Sequence, residues 1–146
     1  MPERTGGAGS RGLRTDRNPG EKDLNYSAGD LVAHGNTSRG SYTVPAGKRA
    51  VVQGVRMYNR VSDADAAAMA ADHRIQLTRS GSSAGNWRQI RDAGNVEDNV
   101  TQIQQVEDLE LFPGDKIEMF TQIVVSNSGK CDVVLGVEIF EYEPGA

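Results

Sequence analysis

The chain has 146 residues, 16 basic and 20 acidic side chains, a net charge of −4, one cysteine and two histidines. That length fits one domain, and the acidic balance excludes a general nucleic-acid binder. Cys131 alone excludes an internal disulfide or a cysteine zinc site, and His34 with His73 leaves too little imidazole for metal or acid–base sets. No run of 18 apolar residues is present and no apolar core follows Met1, so neither a transmembrane helix, a signal peptide nor a membrane partner is expected.

Composition changes near residue 40. Residues 1–40 hold 8 of the 17 glycines but only Leu13, Leu24, Leu31 and Val32 among their aliphatic and Phe positions. Such a segment buries too little to offset backbone entropy of about 1–2 kcal/mol per residue. It reads as an extended N-terminal arm, and 41–146 as the folded domain. Arg4, Arg11, Arg14, Arg17 and Lys22 give the arm a basic character, and with Tyr26 they are its expected partner-binding residues. Leu31 and Val32 are further anchors. The arm carries net +1 and the domain net −5, so a basic tip is joined to an acidic body.

In chain order, the run from Tyr42 through Pro45, Gly47 and Lys48 is a turn, followed by a strand over 48–59 with Val51, Val55 and Met57. Residues 62–72 are alanine-rich. Two readings stand there: a short helix capped by Ser62 with Asp65 three residues on, or an irregular loop. Strands follow at 73–79, with Ile75 and Leu77 inward, at 87–91 and at 100–112. Pro113-Gly114 fits a type II turn. Ile117, Met119, Thr121, Ile123 and Val125 alternate with a second set, as do Cys131, Val133, Leu135, Val137 and Ile139. These two strands, 117–126 and 131–142, are expected to form a hairpin through Asn127-Ser128-Gly129-Lys130. About seven or eight strands in 106 residues, with valine outnumbering leucine two to one, predict an all-β jelly roll or β-sandwich. Phe120, Val124 and Val134 fall on the second, nominally polar faces of their strands. With Trp87 they are the expected subunit-interface residues.

Several motif matches lack the context their chemistry needs. Gly81-Ser82-Ser83-Ala84-Gly85 fits the nucleophile-elbow pattern, but no histidine follows and Trp87 opens another strand. Gly7-Ala8-Gly9-Ser10-Arg11-Gly12 fits a dinucleotide fingerprint with no strand before it. Asn36-Thr37-Ser38 and Asn99-Val100-Thr101 are sequons without a secretory signal. Asp63 and Asp65 lack the rest of a calcium loop and read as a solvated acidic loop. Glu107, Asp108 and Glu110 read as solvent-facing carboxylates, and Cys131 as a small core residue. No catalytic residue, cofactor or metal ligand set is expected, and the chain is not read as an enzyme.

The run from Tyr42 to Val52, followed by Gly54-Val55-Arg56-Met57-Tyr58-Asn59, resembles the first strands of small jelly-roll proteins of tailed-bacteriophage particles. Leu109, Leu111, Pro113, Gly114, Asp115, Lys116 and Ile117 look like the start of their final hairpin. The resemblance is to head decoration, or cement, proteins and related fibre domains, and it covers most of 41–142. It implies a homotrimer on the exterior of a capsid, made in the host cytoplasm, that stabilises the shell by touching several subunits of the major capsid protein. The alternative is a head or tail fibre module that binds carbohydrate, through Trp87, Tyr58 and the loop 80–86.

Overall fold

A computed structural model of the chain describes residues 19–63, 69–94, 100–125 and 129–145. Eight strands run in chain order: β1 (Leu24–Leu31), β2 (His34–Thr43), β3 (Arg49–Asp63), β4 (Met69–Thr78), β5 (Gly85–Gly94), β6 (Val100–Leu111), β7 (Lys116–Val125) and β8 (Lys130–Tyr142). They form two four-stranded sheets of order β1-β8-β3-β6 and β2-β7-β4-β5, with antiparallel pairing throughout. Successive strands alternate between sheets except at β4–β5, which is the jelly-roll path.

Strand alternation decides what each strand buries. Val133, Leu135, Val137 and Ile139 of β8 face Ile117, Met119 and Ile123 of β7 and Ile75 of β4 across the sandwich, and all are buried. Cys131 belongs to the same core, as its place in the alternation implies. Fully burying an aliphatic side chain contributes roughly 1.5–3 kcal/mol, so these two inner faces are the main source of stability. Among the described residues, a fully buried polar pair lies between them. His73 of β4 donates from Nε2 to Asn59 Oδ1 of β3 at 3.0 Å, with both residues fully buried.

Three expectations are corrected. The strands around Asn127 do not pair as a hairpin, because β7 and β8 belong to opposite sheets. Alternation identifies a strand but not its neighbour, and the segment is an inter-sheet connection whose residues 126–128 lie outside those described. The arm does not extend to residue 40. Leu24–Leu31 and His34–Thr43 are the edge strands β1 and β2, one in each sheet, with Leu24, Tyr26, Leu31 and Tyr42 packed against the core. An edge strand inherits much of its stability from the ladder beside it, so few aliphatics suffice. No helix forms at residues 62–63 or 69–72, which belong to β3 and β4. Ala70 and Ala71 pair with both β5 and β7, and residues 64–68 lie outside those described.

The two Pro/Gly turns meet in space. Gly47 and Gly114 take φ of 81° and 88°, which their type II turns require at the third position. Lys48 N donates to Pro45 O at 3.2 Å, and Asp115 N to Phe112 O at 2.9 Å. Val44 N donates to Asp115 O at 3.0 Å and Gly114 N to Val44 O at 2.9 Å, so each turn fixes the other. The Asp115 carboxylate then accepts from Phe112 N, from Ser80 N and from Arg79 Nη1, at 2.9, 2.9 and 2.7 Å. It binds the β4–β5 and β6–β7 connections into one unit.

Candidate interaction surfaces

A sandwich of two open sheets exposes two seams, one between β1 and β2 and one between β5 and β6. Each is closed by an arginine and an aromatic ring. At the first, the Arg39 guanidinium lies 4.6 Å from the Tyr26 ring centroid and its Nε donates to Thr121 Oγ1 at 2.9 Å. His34 adds Nδ1 to Val32 O at 2.9 Å and Nε2 with Thr121 Oγ1 at 2.8 Å, which holds the β1–β2 connection. At the second seam, Arg88 of β5 bonds Glu107 of β6 at 2.6 Å and Gln105 at 3.1 Å, and stacks 4.3 Å from the Trp87 ring centroid. The Glu107 side chain is only 13% exposed, so it is not the solvent-facing carboxylate expected from its neighbours. Its parity is the reason: Glu107 shares the inward-facing set of Leu109 and Leu111. Glu110 is also engaged, by Arg49 at 3.1 Å and by the Tyr142 hydroxyl.

Arg88→Ala is therefore expected to cost about 1–2 kcal/mol, because it leaves a partly buried carboxylate without its partner. Glu107→Gln in the same background should recover part of that loss. Urea unfolding of the two single variants and the double variant measures the coupling. Strict additivity would show that the seam contact contributes nothing.

The sequence-derived interface residues do not form one patch. Phe120 and Val124 lie on the outer face of the second sheet, on β7. Val134 lies on the outer face of the first sheet, on β8. Trp87 is half-buried at the β5–β6 seam and packs on the core. Phe120 sits in a polar frame, with Ser38 and Arg74 as its cross-strand neighbours and the Arg74 guanidinium 5.8 Å from its ring centroid. Val124 is 56% exposed and, with Val32 and Val100, marks one end of the sandwich. Tyr58 is on the outer face of the first sheet, away from Trp87 and the loop 80–86, so those three do not converge either. Gly81–Gly85 leads directly into β5, which gives Ser83 no elbow geometry.

Of the arm residues, Arg4, Arg11, Arg14 and Arg17 lie outside the described residues. Lys22 is exposed, and its backbone N donates to Ile139 O at 2.9 Å. Tyr26 is half-buried within the sandwich and serves the first seam. The seam arginines and Asp115 were not visible as a set in the sequence, because strand pairing alone brings them to their partners. Among the described residues no group of three metal-ligating side chains comes together.

No protein-family model matches the chain, and no curated protein matches its sequence. Solved structures do resemble it. A chain of infectious bursal disease virus, Gx strain, aligns at TM-score 0.44 and 11% identity over 89% of this chain and 34% of that one. The Gt strain gives 0.42 and 12% over 86% and 33%. TmCBM61, solved in complex with beta-1,4-galactotriose, gives 0.33 and 10% over 83% and 70%. This chain spans about a third of the length of the two virus chains. These are likenesses of strand arrangement and carry nothing about ligand or partner.

Proposed function

We propose that the chain is a non-enzymatic structural virion protein that decorates and stabilises a phage capsid. In this reading it sits on the capsid exterior as a homotrimer, and its N-terminal tract clamps neighbouring subunits of the major capsid protein. One observation carries the reading: the root of the tract is pinned. Glu141 N donates to Gly20 O at 2.7 Å and Lys22 N to Ile139 O at 2.9 Å, which continues the β1 edge beside β8. Everything before that root, including Arg4, Arg11, Arg14 and Arg17, therefore starts from a fixed point on an acidic body. A tether with a fixed origin adds weak contacts to those of the domain and raises avidity without one tight site. Phe120 and Val124, on the outer face of the second sheet, are among the apolar side chains available for trimer contacts.

Removal of residues 1–18 is expected to leave the thermal unfolding of the sandwich unchanged. Co-sedimentation with capsid shells should weaken about tenfold or more. Raised salt should weaken binding of the intact chain more than that of the truncated one, since arginine pairing is screened. Equal shell binding by both forms would remove the clamp.

A further inference from the structure

The outer face of the first sheet carries a depression that its neighbours do not fill. Across this face one row runs Asn25, Gly136, Arg56, Gln104 over β1, β8, β3 and β6, and the next runs Glu138, Gly54, Val106 over β8, β3 and β6. Gly136 and Gly54 are diagonal neighbours and bring no side chain of their own to the floor; the Glu138 carboxylate leans over Gly54, where a Cβ would meet its Oε1 at 2.9 Å, and the place above Gly136 stays open. The resulting cavity is about 290 Å³, and Asn25, Gln53, Arg56, Gln104 and Glu138 are among its walls. A second depression, also about 290 Å³, shares Asn25 and Arg56 and runs on to Val134. Tyr58 is the cross-strand neighbour of Val134 on the same face. Together they form a groove with a polar half and an apolar end at Val134, beside Tyr58.

The wall groups are unengaged. Arg49, Arg60, Arg79, Arg88 and Arg91 each hold a carboxylate. Arg39 and Arg74 stack on rings and bond neighbouring side chains. Arg56 is the one arginine among the described residues with no such contact, and the side-chain polar atoms of Asn25, Gln53, Gln104 and Glu138 likewise make no hydrogen bond. Three amides, each donor and acceptor, therefore face the same space as a guanidinium and a carboxylate.

We infer that this groove is a binding site for a neutral saccharide. Adjacent hydroxyls of a sugar donate and accept at once, which matches amide and carboxylate pairs. Glu138 and the nearby Asp23 oppose a phosphate, sulfate or nucleic-acid ligand. The polar walls oppose an apolar ligand. The volume is at the small end of ligand sites of roughly 300–1,000 Å³, which suits one or two rings. The C–H face of a second ring would meet Val134 and Tyr58. The site is independent of the capsid-binding reading, and it differs in place from Trp87 and the loop 80–86.

The test uses the full chain on an array of neutral, sulfated and uronic-acid oligosaccharides, followed by titration of the best free sugar. Hits should fall among the neutral glycans. Arg56→Ala and Gln104→Ala, both on exposed side chains, should each weaken binding about tenfold. Gly136→Val should abolish binding while the protein stays folded. The nearest atoms that a Cβ there would meet are Asn25 Oδ1 at 3.4 Å, Leu24 O at 3.8 Å and Arg56 Cβ at 3.9 Å, all at ordinary contact distance. The site is refuted by an array without neutral hits, by a preference for anionic glycans, or by Gly136→Val and Arg56→Ala binding as well as the native chain. A Gly136→Val variant that changes the assembly mass but not sugar binding refutes it too, and makes the face a contact between copies. None of these outcomes bears on shell binding by residues 1–18.

Discussion

Asp115→Ala is expected to lower the unfolding free energy by about 2–4 kcal/mol, equivalent to roughly 10 °C in Tm for a chain of this size. The carboxylate side chain is 4% exposed and receives two backbone N–H groups and the Arg79 guanidinium. Its loss strands part-buried donors at the point where the two Pro/Gly turns and the β4–β5 connection meet. Arg79 is 40% exposed and can turn to water, which keeps the cost below that of a fully buried pair. The same site governs acid stability. Burial alone raises the Asp115 pKa, but the bonds from Phe112 and Ser80 and the charge of Arg79 outweigh it and hold it below the ordinary 3.8. A depressed folded-state pKa gives stability that is complete above 3.8 and is lost as pH falls through the folded value. Glu118 contributes with the same sign. Burial raises its pKa, and Ser38 and Lys116 more than reverse that. Native protein should therefore lose Tm steeply below about pH 4, and Asp115→Asn should lose less over the same range. Parallel melts of the two proteins from pH 7 to pH 3 are the check, and identical slopes would assign acid lability elsewhere.

His73→Ala is expected to cost about 2–4 kcal/mol. The side chain is fully buried between the sheets, so its removal leaves a cavity and withdraws the donor to Asn59 Oδ1. His73→Leu separates the two contributions. It keeps most of the volume and removes the hydrogen bond to Asn59, so its cost should be about 1–2 kcal/mol. Urea denaturation of both variants measures the split. Equal losses would show that packing around His73 is immaterial and that the hydrogen bond accounts for the whole effect.

Much of the fold was legible because alternation survives in single strands. Cys131, Val133, Leu135, Val137 and Ile139 announced β8 and its buried face, and Ile117, Met119 and Ile123 announced β7. The Pro113-Gly114 turn was legible because only a residue such as glycine takes the φ it requires. Partnering was not legible: nothing within 117–142 says that the chain crosses to the other sheet between two good strands. Edge strands were also hidden, since β1 and β2 bury Tyr26, Tyr42 and a few aliphatics where β8 buries five apolar side chains. The candidate surfaces were least legible. Arg88 and Glu107 are 19 residues apart, and Arg39 and Tyr26 belong to different sheets. The groove depends on Gly54 and Gly136 becoming diagonal neighbours, which only the β3–β8 register provides. Phe120, Val124 and Val134 were correctly placed on outer faces, but alternation could not say that the faces are opposite ones.

In the proposed function the protein assembles with itself and then with a capsid. That assembly is tested most directly by the native mass of the full chain, measured free in solution and after binding to capsid shells. A free species of three times the 15.7 kDa chain mass, co-sedimenting with shells in fixed stoichiometry, is the expected result. A 15.7 kDa monomer that stays in the supernatant would contradict it.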